Sequence, residues 1–407
     1  MTGRAVVLRG DARALPLADE SVDLVVTSPP YYALRAYTDG GQVYDGQIGS
    51  EATPAQYIAT LVECTREWVR VLKPCGSLFV NLGDKYAAHL TGQPPDKSLN
   101  TRKGRTANYR PGMGHKPYGV EPKSLLGLPW RYALACIDQL GLILRAEMVW
   151  SKPNGLPESV ADRVRRSHEQ WFHLTRRPRY YSAVDEIREP HAPWRASGAN
   201  GLAGQQTIRQ RGQQDPDQRN SLGKLPGSVW DIASEPLRVP DHLGIDHFAA
   251  FPTEWPRRII QGWSPPGICT VCGEGRRPVA GREYIKSPKH ANGSIIGSRR
   301  GTTRGWDGLP RINAEHTITG YACACPQPTA PTRPAVILDP FGGTGTVALV
   351  AAVLGRTGIS VDYSADYTRL ARWRTADPGE RARAMRVAKP PAQAAGQTSL
   401  FDLGVAP

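Results

Sequence analysis

The chain has 407 residues, with 51 Lys and Arg against 37 Asp and Glu, a formal net charge of +14 and a pI near 9.6. That length supports one large α/β domain with insertions or two to three domains, and the excess charge, spread through polar stretches with no continuous lysine tract, suits a phosphate-bearing partner. No apolar run approaches a membrane span, the first residues read as a strand and not a signal peptide, and seven cysteines, an odd number, argue against a secreted disulfide scaffold, so a reducing cytoplasm is expected.

Val6-Val7-Leu8 reads as a strand ending at Gly10-Asp11, and Leu24-Val25-Val26 as a second, short and buried one. Pro29 and Pro30 stop the second strand by removing backbone donors and fixing φ. They leave a stiff turn, Thr27-Ser28-Pro29-Pro30-Tyr31-Tyr32, in which the Ser28 hydroxyl and the Ser28 and Pro29 carbonyls are fixed acceptors beside the Tyr31 ring. Acceptors next to a stacking surface suit a planar base carrying an NH₂ group. The lone pair of such an amine is delocalised into the ring, and hydrogen bonds from both N–H groups favour a more tetrahedral, more nucleophilic nitrogen. A Ser-Pro-Pro turn with two core tyrosines is the plainer reading of the same residues.

Thr53-Pro54 caps and opens a helix with apolar positions at Tyr57, Ile58, Leu61, Val62, Trp68, Val69 and Leu72, closing at Lys73-Pro74, and Ser77 to Val80 is the next strand. Residues 86–123 are rich in glycine, proline and basic side chains and are too long for an ordinary connector, which predicts a lid over a nucleic acid or a solvated loop. Helical spacing returns at Leu125 to Leu140, followed by strand residues from Leu142 to Trp150. Lys152 and Asn154 either line a base pocket or, for Asn154-Gly155, only form a turn. From Arg176 to Lys224 arginine, glutamine and glycine dominate, among them Arg195, Gln205, Gln206, Arg209 and Arg211. Such side chains make bidentate contacts to purine edges, and a flexible polar loop has the same composition.

Order resumes at Ser228 to Ile232 and in a helix from Thr253 to Gln261. Cys269-Thr-Val-Cys272-Gly273 and Cys323-Ala-Cys325 then bracket an insertion with few aliphatic residues. The first is a well-shaped half of a tetrahedral zinc site, the second is tighter than a usual CxxC, and free buried thiols are the alternative. Cys64, Cys75 and Cys136 fall in apolar contexts and read as core. Ala335 to Leu338 is an apolar strand running into Asp339-Pro340-Phe341-Gly342-Gly343-Thr344-Gly345-Thr346, with helical spacing from Val347 to Leu354. This is a nucleotide-cofactor turn without the spacing of GxGxxG or the lysine of a P-loop. One strand later, Asp362 is placed to accept hydrogen bonds from ribose hydroxyls. Past Trp373 a proline- and alanine-rich tail follows.

The turn at residues 27–31 resembles the (D/N/S)PP(Y/F/W) catalytic motif of the DNA amino-methyltransferases, in the TSPPY form of those that methylate N4 of cytosine. The turn at residues 339–346 resembles their S-adenosylmethionine motif, with Thr344 in place of serine, and His247-Phe248-Ala249-Ala250-Phe251-Pro252 resembles the block that holds the methionine end of that cofactor. With the catalytic turn first and the cofactor turn last, the order is that of the β group. The resemblance implies a circularly permuted, Rossmann-like α/β sheet with a target-recognition insertion; the small zinc-binding insertion read from the cysteines and the tail are departures from it. It also implies a bacterial or phage-encoded enzyme that transfers a methyl group from S-adenosylmethionine to the amine of a base flipped out of double-stranded DNA. The expected product is N4-methylcytosine; the alternatives are N6-methyladenine and a non-catalytic DNA-binding regulator.

The implied catalytic residues are Ser28, Pro29, Pro30 and Tyr31, and the implied cofactor residues are Asp11, Phe248, Asp339, Phe341, Gly343, Thr344, Gly345 and Asp362. Asp11 reads equally well as a solvated turn residue. Cys269, Cys272, Cys323 and Cys325 are the candidate zinc ligands. The expected divisions are residues 1–85 and 124–175 for the catalytic half, 86–123 for the lid, 176–240 for target recognition and 241–262 for a cofactor-flanking block. Residues 263–332 form the cysteine insert, 333–375 the cofactor half and 376–407 a flexible tail. Within the tail, Gln397, Leu400 and Phe401 resemble a peptide that docks on bacterial sliding clamps, and a cognate restriction endonuclease is a further expected partner.

Overall fold

A computed structural model describes residues 3–34, 38–39, 42–43, 46–87, 120–121, 123–155, 157–191, 220, 222–245, 251–285, 313–327 and 329–388. In chain order its first elements are β1 (Arg4–Arg9), β2 (Val22–Thr27), a short hairpin of β3 (Thr38–Asp39) and β4 (Gln42–Val43), α1 (Pro54–Val71) and β5 (Leu72–Leu82). Then come α2 (Leu128–Leu140), β6 (Ile143–Ser151), β7 (His168–Thr175), β8 (Val229–Asp231), α3 (Glu254–Trp263), β9 (Ile268–Cys269), β10 (Arg277–Ile285), β11 (Asn313–Ala322) and β12 (Thr332–Arg333). The last are β13 (Val336–Asp339), α4 (Thr346–Val353), β14 (Thr357–Asp362), α5 (Ala365–Ala376) and α6 (Pro378–Met385). Two compact units result: one of Met1–Tyr180, Ser228–Ile260 and Pro334–Pro407, the other of Tyr181–Gly227 and Gln261–Arg333. Among the described residues, no helix is long and apolar enough to cross a membrane.

The first unit is built on an eight-stranded sheet in the order β1-β14-β13-β2-β5-β7-β6-β8. Every neighbouring pair is parallel except the two that β7 makes. The permutation expected from motif order is therefore present: β13 and β14, late in the chain, lie between β1 and β2. Ile337 and Leu338 pair with Leu24 and Val25, and β1 pairs with β14 from Arg4↔Thr357 to Arg9↔Asp362. Asp23, on β2, is mostly buried and joins three strands near their N-terminal ends, pairing with Lys73 of β5 and accepting a hydrogen bond from the Val336 amide at 2.8 Å. All six residues of β2 are buried, as a central parallel strand covered on both faces requires.

Helix α1 starts where its sequence says it should. Thr53 and Gln56 form a reciprocal capping box, with the Gln56 amide donating to Thr53 Oγ1 at 3.2 Å and the Thr53 amide donating to Gln56 Oε1 at 3.1 Å. Its buried face carries Tyr57, Ile58, Leu61, Val62 and Trp68, which pack in the main core with Val25, Leu78, Tyr132 and Leu338. Helix α2 begins at Leu128, later than its periodicity suggests, because Gly127 adopts φ +71° and the Asp84 carboxylate accepts from the Gly127 and Leu128 amides, each at 3.0 Å.

Three sequence expectations are corrected. Cys64 and Cys136 are buried, but Cys75 is exposed; it lies in the first residues of β5, before the strand's fully buried run begins at Gly76. Helix α6 occupies residues expected to be tail. Asp377 caps it, accepting from the Glu380 amide at 2.8 Å, and only Ala382 and Ala384 are buried, which is why hydrophobic pattern does not reveal it. Finally, part of the region assigned to target recognition and the cysteine insert form one unit and not two. Within it the Ala183 amide donates to the Gly262 carbonyl at 2.7 Å. The β10–β11 ribbon runs antiparallel from Arg277↔Ala322 to Ile285↔Asn313.

Candidate active site

The C-terminal edge of a parallel sheet is where ligands bind in open α/β folds, and permutation puts the two chemical turns side by side there. Thr27, the last residue of β2, donates from Oγ1 to Asp339 Oδ1, the last residue of β13, at 2.7 Å. The Ser-Pro-Pro-Tyr turn and the glycine-rich turn, more than three hundred residues apart in sequence, are thus joined by a buried hydrogen bond.

On the catalytic side, the Ser28 hydroxyl donates to Asn81 Oδ1 at 3.2 Å. Tyr31 Oη lies 2.7 Å from both Asn81 Oδ1 and Glu169 Oε2; its single proton serves one acceptor at a time. Asn81 Nδ2 donates to the Gln170 carbonyl at 3.1 Å, which turns Oδ1 toward Ser28 and Tyr31. Glu169 in turn pairs with Lys152, whose Nζ stands 4.1 Å from the centroid of the Trp150 ring. Desolvation, and next the Glu169 charge, push the Tyr31 phenol well above its ordinary range, so it stays neutral. Gly83 is necessary for this placement, because a Cβ there would stand 2.6 Å from Tyr31 Cε2. The neighbouring Tyr32 is a core residue, its ring tilted against Tyr57 at 5.4 Å between centroids, while Tyr57 Oη donates to the Pro30 carbonyl at 2.8 Å.

On the cofactor side, the turn after β13 approaches its surroundings closely. A Cβ on Gly342 would fall 1.9 Å from Ser360 Oγ, and one on Gly345, at φ +75°, would fall 2.9 Å from Ala371 Cβ. Gly343 is also in the left-handed region, φ +49°, and its amide donates to Asp362 Oδ2 at 2.8 Å, while the Ser364 amide donates to Asp362 Oδ1 at 2.9 Å. Asp339 is buried and accepts from the Phe341 amide at 3.1 Å as well as from Thr27; desolvation pushes its carboxyl up to about 7. Phe341 packs edge-on against Trp68, with ring centroids 5.7 Å apart.

Thr344 serves the turn from beneath. Its hydroxyl is buried and accepts from Arg374 Nη1 at 2.8 Å, Thr346 Oγ1 accepts from the same atom at 2.7 Å, and Arg374 Nε donates to Glu380 Oε2 at 3.0 Å. Asp11 is in a turn, pairing with Arg13, which holds its carboxyl below the usual range. Asn154 straps the chain to Ser234, accepting from its amide at 2.8 Å and from its hydroxyl at 2.9 Å. Phe248, most of the 86–123 lid, the Arg/Gln-rich stretch at 192–219 and the peptide containing Gln397, Leu400 and Phe401 lie outside the described residues.

In the second unit, Cys269, Cys272 and Cys323 bring their sulfurs within 4.8 Å of one another. The backbone amides of Cys272 and Val271 donate to the Cys269 sulfur and lower its pKa. Cys325 is buried in the same small cluster.

Sequence reasoning names Glu169 only as the end of the segment 162–169, which resembles a later block of the family, and does not single out Asn81 or Arg374. Asn81 and Glu169 reach Tyr31 from strands 50 and 138 residues away, so strand register alone reveals them.

A mostly parallel sheet with a glycine-rich turn and a Ser-Pro-Pro-Tyr turn on adjoining strands places both at the edge where open α/β folds bind ligands. Residues 22–270 match the DNA methylase family. The chain is 37% identical over 265 residues to the type II methyltransferase M.SmaI of Serratia marcescens, covering 64% of this chain and 76% of that protein. It is 35% identical over 266 residues to the type II methyltransferase M.Cfr9I of Citrobacter freundii, covering 65% and 74%. The fold is similar to that of the PvuII DNA methyltransferase (cytosine-N4-specific), with a TM-score of 0.51, 16% identity and 95% of each chain covered.

The chain belongs to the DNA methylase family and is an S-adenosylmethionine-dependent DNA amino-methyltransferase. The site suits that cofactor: Gly342 and Gly345 let the turn pack closely on Ser360 and Ala371, the space beside Gly343 is largely open, and two acids stand at the ends of β13 and β14.

Proposed function

We propose that the enzyme methylates N4 of cytosine at a specific site in double-stranded DNA, with Ser28, Pro29, Pro30 and Tyr31 as the catalytic turn. The observation that carries this reading is the Thr27-Ser28-Pro29-Pro30-Tyr31 sequence at the end of β2, with a neutral serine hydroxyl where related motifs carry an acid or amide. The target base is turned out of the duplex, since its amine is otherwise engaged in pairing, and stacks on Tyr31. Ser28 Oγ and the Pro29 carbonyl accept from the amine's two N–H groups, and Asn81 and Glu169 fix the serine and the ring so that positioning does most of the work. S-adenosylmethionine supplies the methyl group. Asp339, Phe341, Gly343, Gly345 and Asp362 hold it, with Thr344 shaping the turn and Phe248 and Asp11 at its ends.

The second unit supplies target recognition, the basic segment at 86–123 closes over DNA, and a restriction endonuclease of the same specificity is the partner that the type II relatives suggest. The sequence around Gln397, Leu400 and Phe401 is the proposed sliding-clamp contact. A metal at the four cysteines would be structural, since amine methylation needs no Lewis acid.

The test is expression in a methylation-free bacterial host followed by single-molecule sequencing that reports modified bases. A recurring motif bearing N4-methylcytosine is expected, absent with Ser28→Ala although that variant binds S-adenosylmethionine as the wild type does. N6-methyladenine in its place overturns the cytosine assignment, and no mark from a cofactor-binding chain overturns DNA as the substrate.

A further inference from the structure

The second unit holds a set of thiols that methyl transfer does not use, and among the described residues the cluster around them is small. The apolar cluster at the base of the β10–β11 ribbon consists of Cys269, Cys325 and Ala330, with Cys323 packed against it. One alanine and three cysteines bury too little aliphatic surface to fix two strands in water.

The backbone around these cysteines is shaped for thiolates. Gly273, at φ +73°, closes a knuckle in which its amide donates to the Cys269 carbonyl at 3.0 Å and the Cys269 amide donates to the Glu274 carbonyl at 2.9 Å. Glycine's freedom at positive φ is what allows the chain to turn around the sulfurs this tightly. The knuckle is pinned from the other side by β12: Thr332 pairs with Cys269, and the Thr270 amide donates to the Pro331 carbonyl at 3.0 Å.

The second pair arrives from the far strand of the ribbon. Its first rung is Arg277↔Ala322, so Cys323 leaves the ribbon immediately after that rung, opposite the knuckle. The three sulfurs within 4.8 Å need only a small contraction to reach the roughly 3.8 Å separation set by Zn–S bonds of about 2.3 Å in a tetrahedron. Cys325, two residues on, is buried in the same cluster and is the one remaining cysteine of this unit.

We infer that Cys269, Cys272, Cys323 and Cys325 bind a structural zinc ion that closes the base of the β10–β11 ribbon. All four positions are filled by protein, so the metal keeps no open site and takes no part in catalysis. Binding releases the remaining thiol protons and adds a cross-link where the described apolar cluster is small. The inference is independent of which base is methylated.

The experiment uses the full chain, purified without chelator and desalted, with metal measured by inductively coupled plasma mass spectrometry. One zinc per chain is expected. After exchange, Co²⁺ should give the intense visible bands and thiolate charge-transfer absorption of a tetrahedral four-sulfur site. Cys272→Ser, at an exposed ligand, should lose the zinc while S-adenosylmethionine still binds, which shows that the first unit remains folded. Cys325→Ser should shift the cobalt bands toward those of a three-sulfur site. A folded wild-type chain that takes up neither Zn²⁺ nor Co²⁺ under reducing conditions overturns the proposal, as does a disulfide among these cysteines in a metal-free chain that is otherwise intact. Unchanged cobalt bands in Cys325→Ser overturn the four-cysteine ligand set.

Discussion

Asp339 is a buried carboxyl whose ionisation falls near neutrality. Its carboxyl is raised by burial to about 7, so below neutrality the free protein holds it largely neutral. The group's contribution to stability is fully present below its ordinary value of 3.8 and is lost as pH rises through about 7, where the folded protein must ionise a buried acid. A bound sulfonium and ammonium would favour the ionised form. If binding requires the carboxylate, affinity for S-adenosylmethionine should weaken by roughly tenfold per pH unit below 7 and level off above it. Isothermal titration across pH 5.5–8.5, in buffers of different ionisation heat (about the range that brackets the group), should also show proton release on binding near pH 6. An Asp339→Asn variant should bind weakly with no such slope, whereas an unchanged slope would assign the effect to another group.

At the scale of elements, the cofactor turn depends on a helix it does not belong to. Arg374, on α5, is buried and bonds both Thr344 and Thr346 while pairing with Glu380 of α6, so two helices hold a loop of glycines in place. Removing one partner of such a pair leaves a charge largely buried and unpaired, which costs about 3–5 kcal/mol. Arg374→Met should therefore lower the unfolding midpoint in urea. Adding Glu380→Leu should recover most of that stability without restoring cofactor affinity, because the two threonines still lack their donor. Equal recovery of both would show that the turn does not need the arginine.

This support was the least legible part of the site. The two turns could be read because prolines and glycines leave local signatures, and the capping box at Thr53 and Gln56 marked the start of α1. Arg374 looks like a surface residue of a polar helix, and α6 buries only two alanines. Asn81 and Glu169 were hidden for a different reason: their roles come from the register of β5, β6 and β7, and nothing local in the sequence specifies which residues of separate strands stand opposite one another. The cysteines were readable as pairs, and the geometry that unites them comes from the first rung of the ribbon.

For the molecule as a whole, the sheet order makes the two halves of the first unit mutually dependent. Among the described residues, β13 is the only strand that links β2 to β14, and β14 the only one that links β13 to β1. A chain ending at Arg333 should therefore bind no S-adenosylmethionine in equilibrium dialysis and should associate through its open strand edges in size-exclusion chromatography. Supplying the remaining residues as a separate polypeptide should restore binding; failure to do so while the shortened chain stays monomeric and folded would contradict the dependence. The same order sets a schedule for synthesis. At translation rates of about 5–20 residues per second, the strand that leads into Ser28 emerges roughly 15–60 s before the strand that lies beside it. Throughout that interval β1 and β2 have no strand between them, so an unfinished chain on the ribosome has no place to hold a methyl donor and no means of marking DNA.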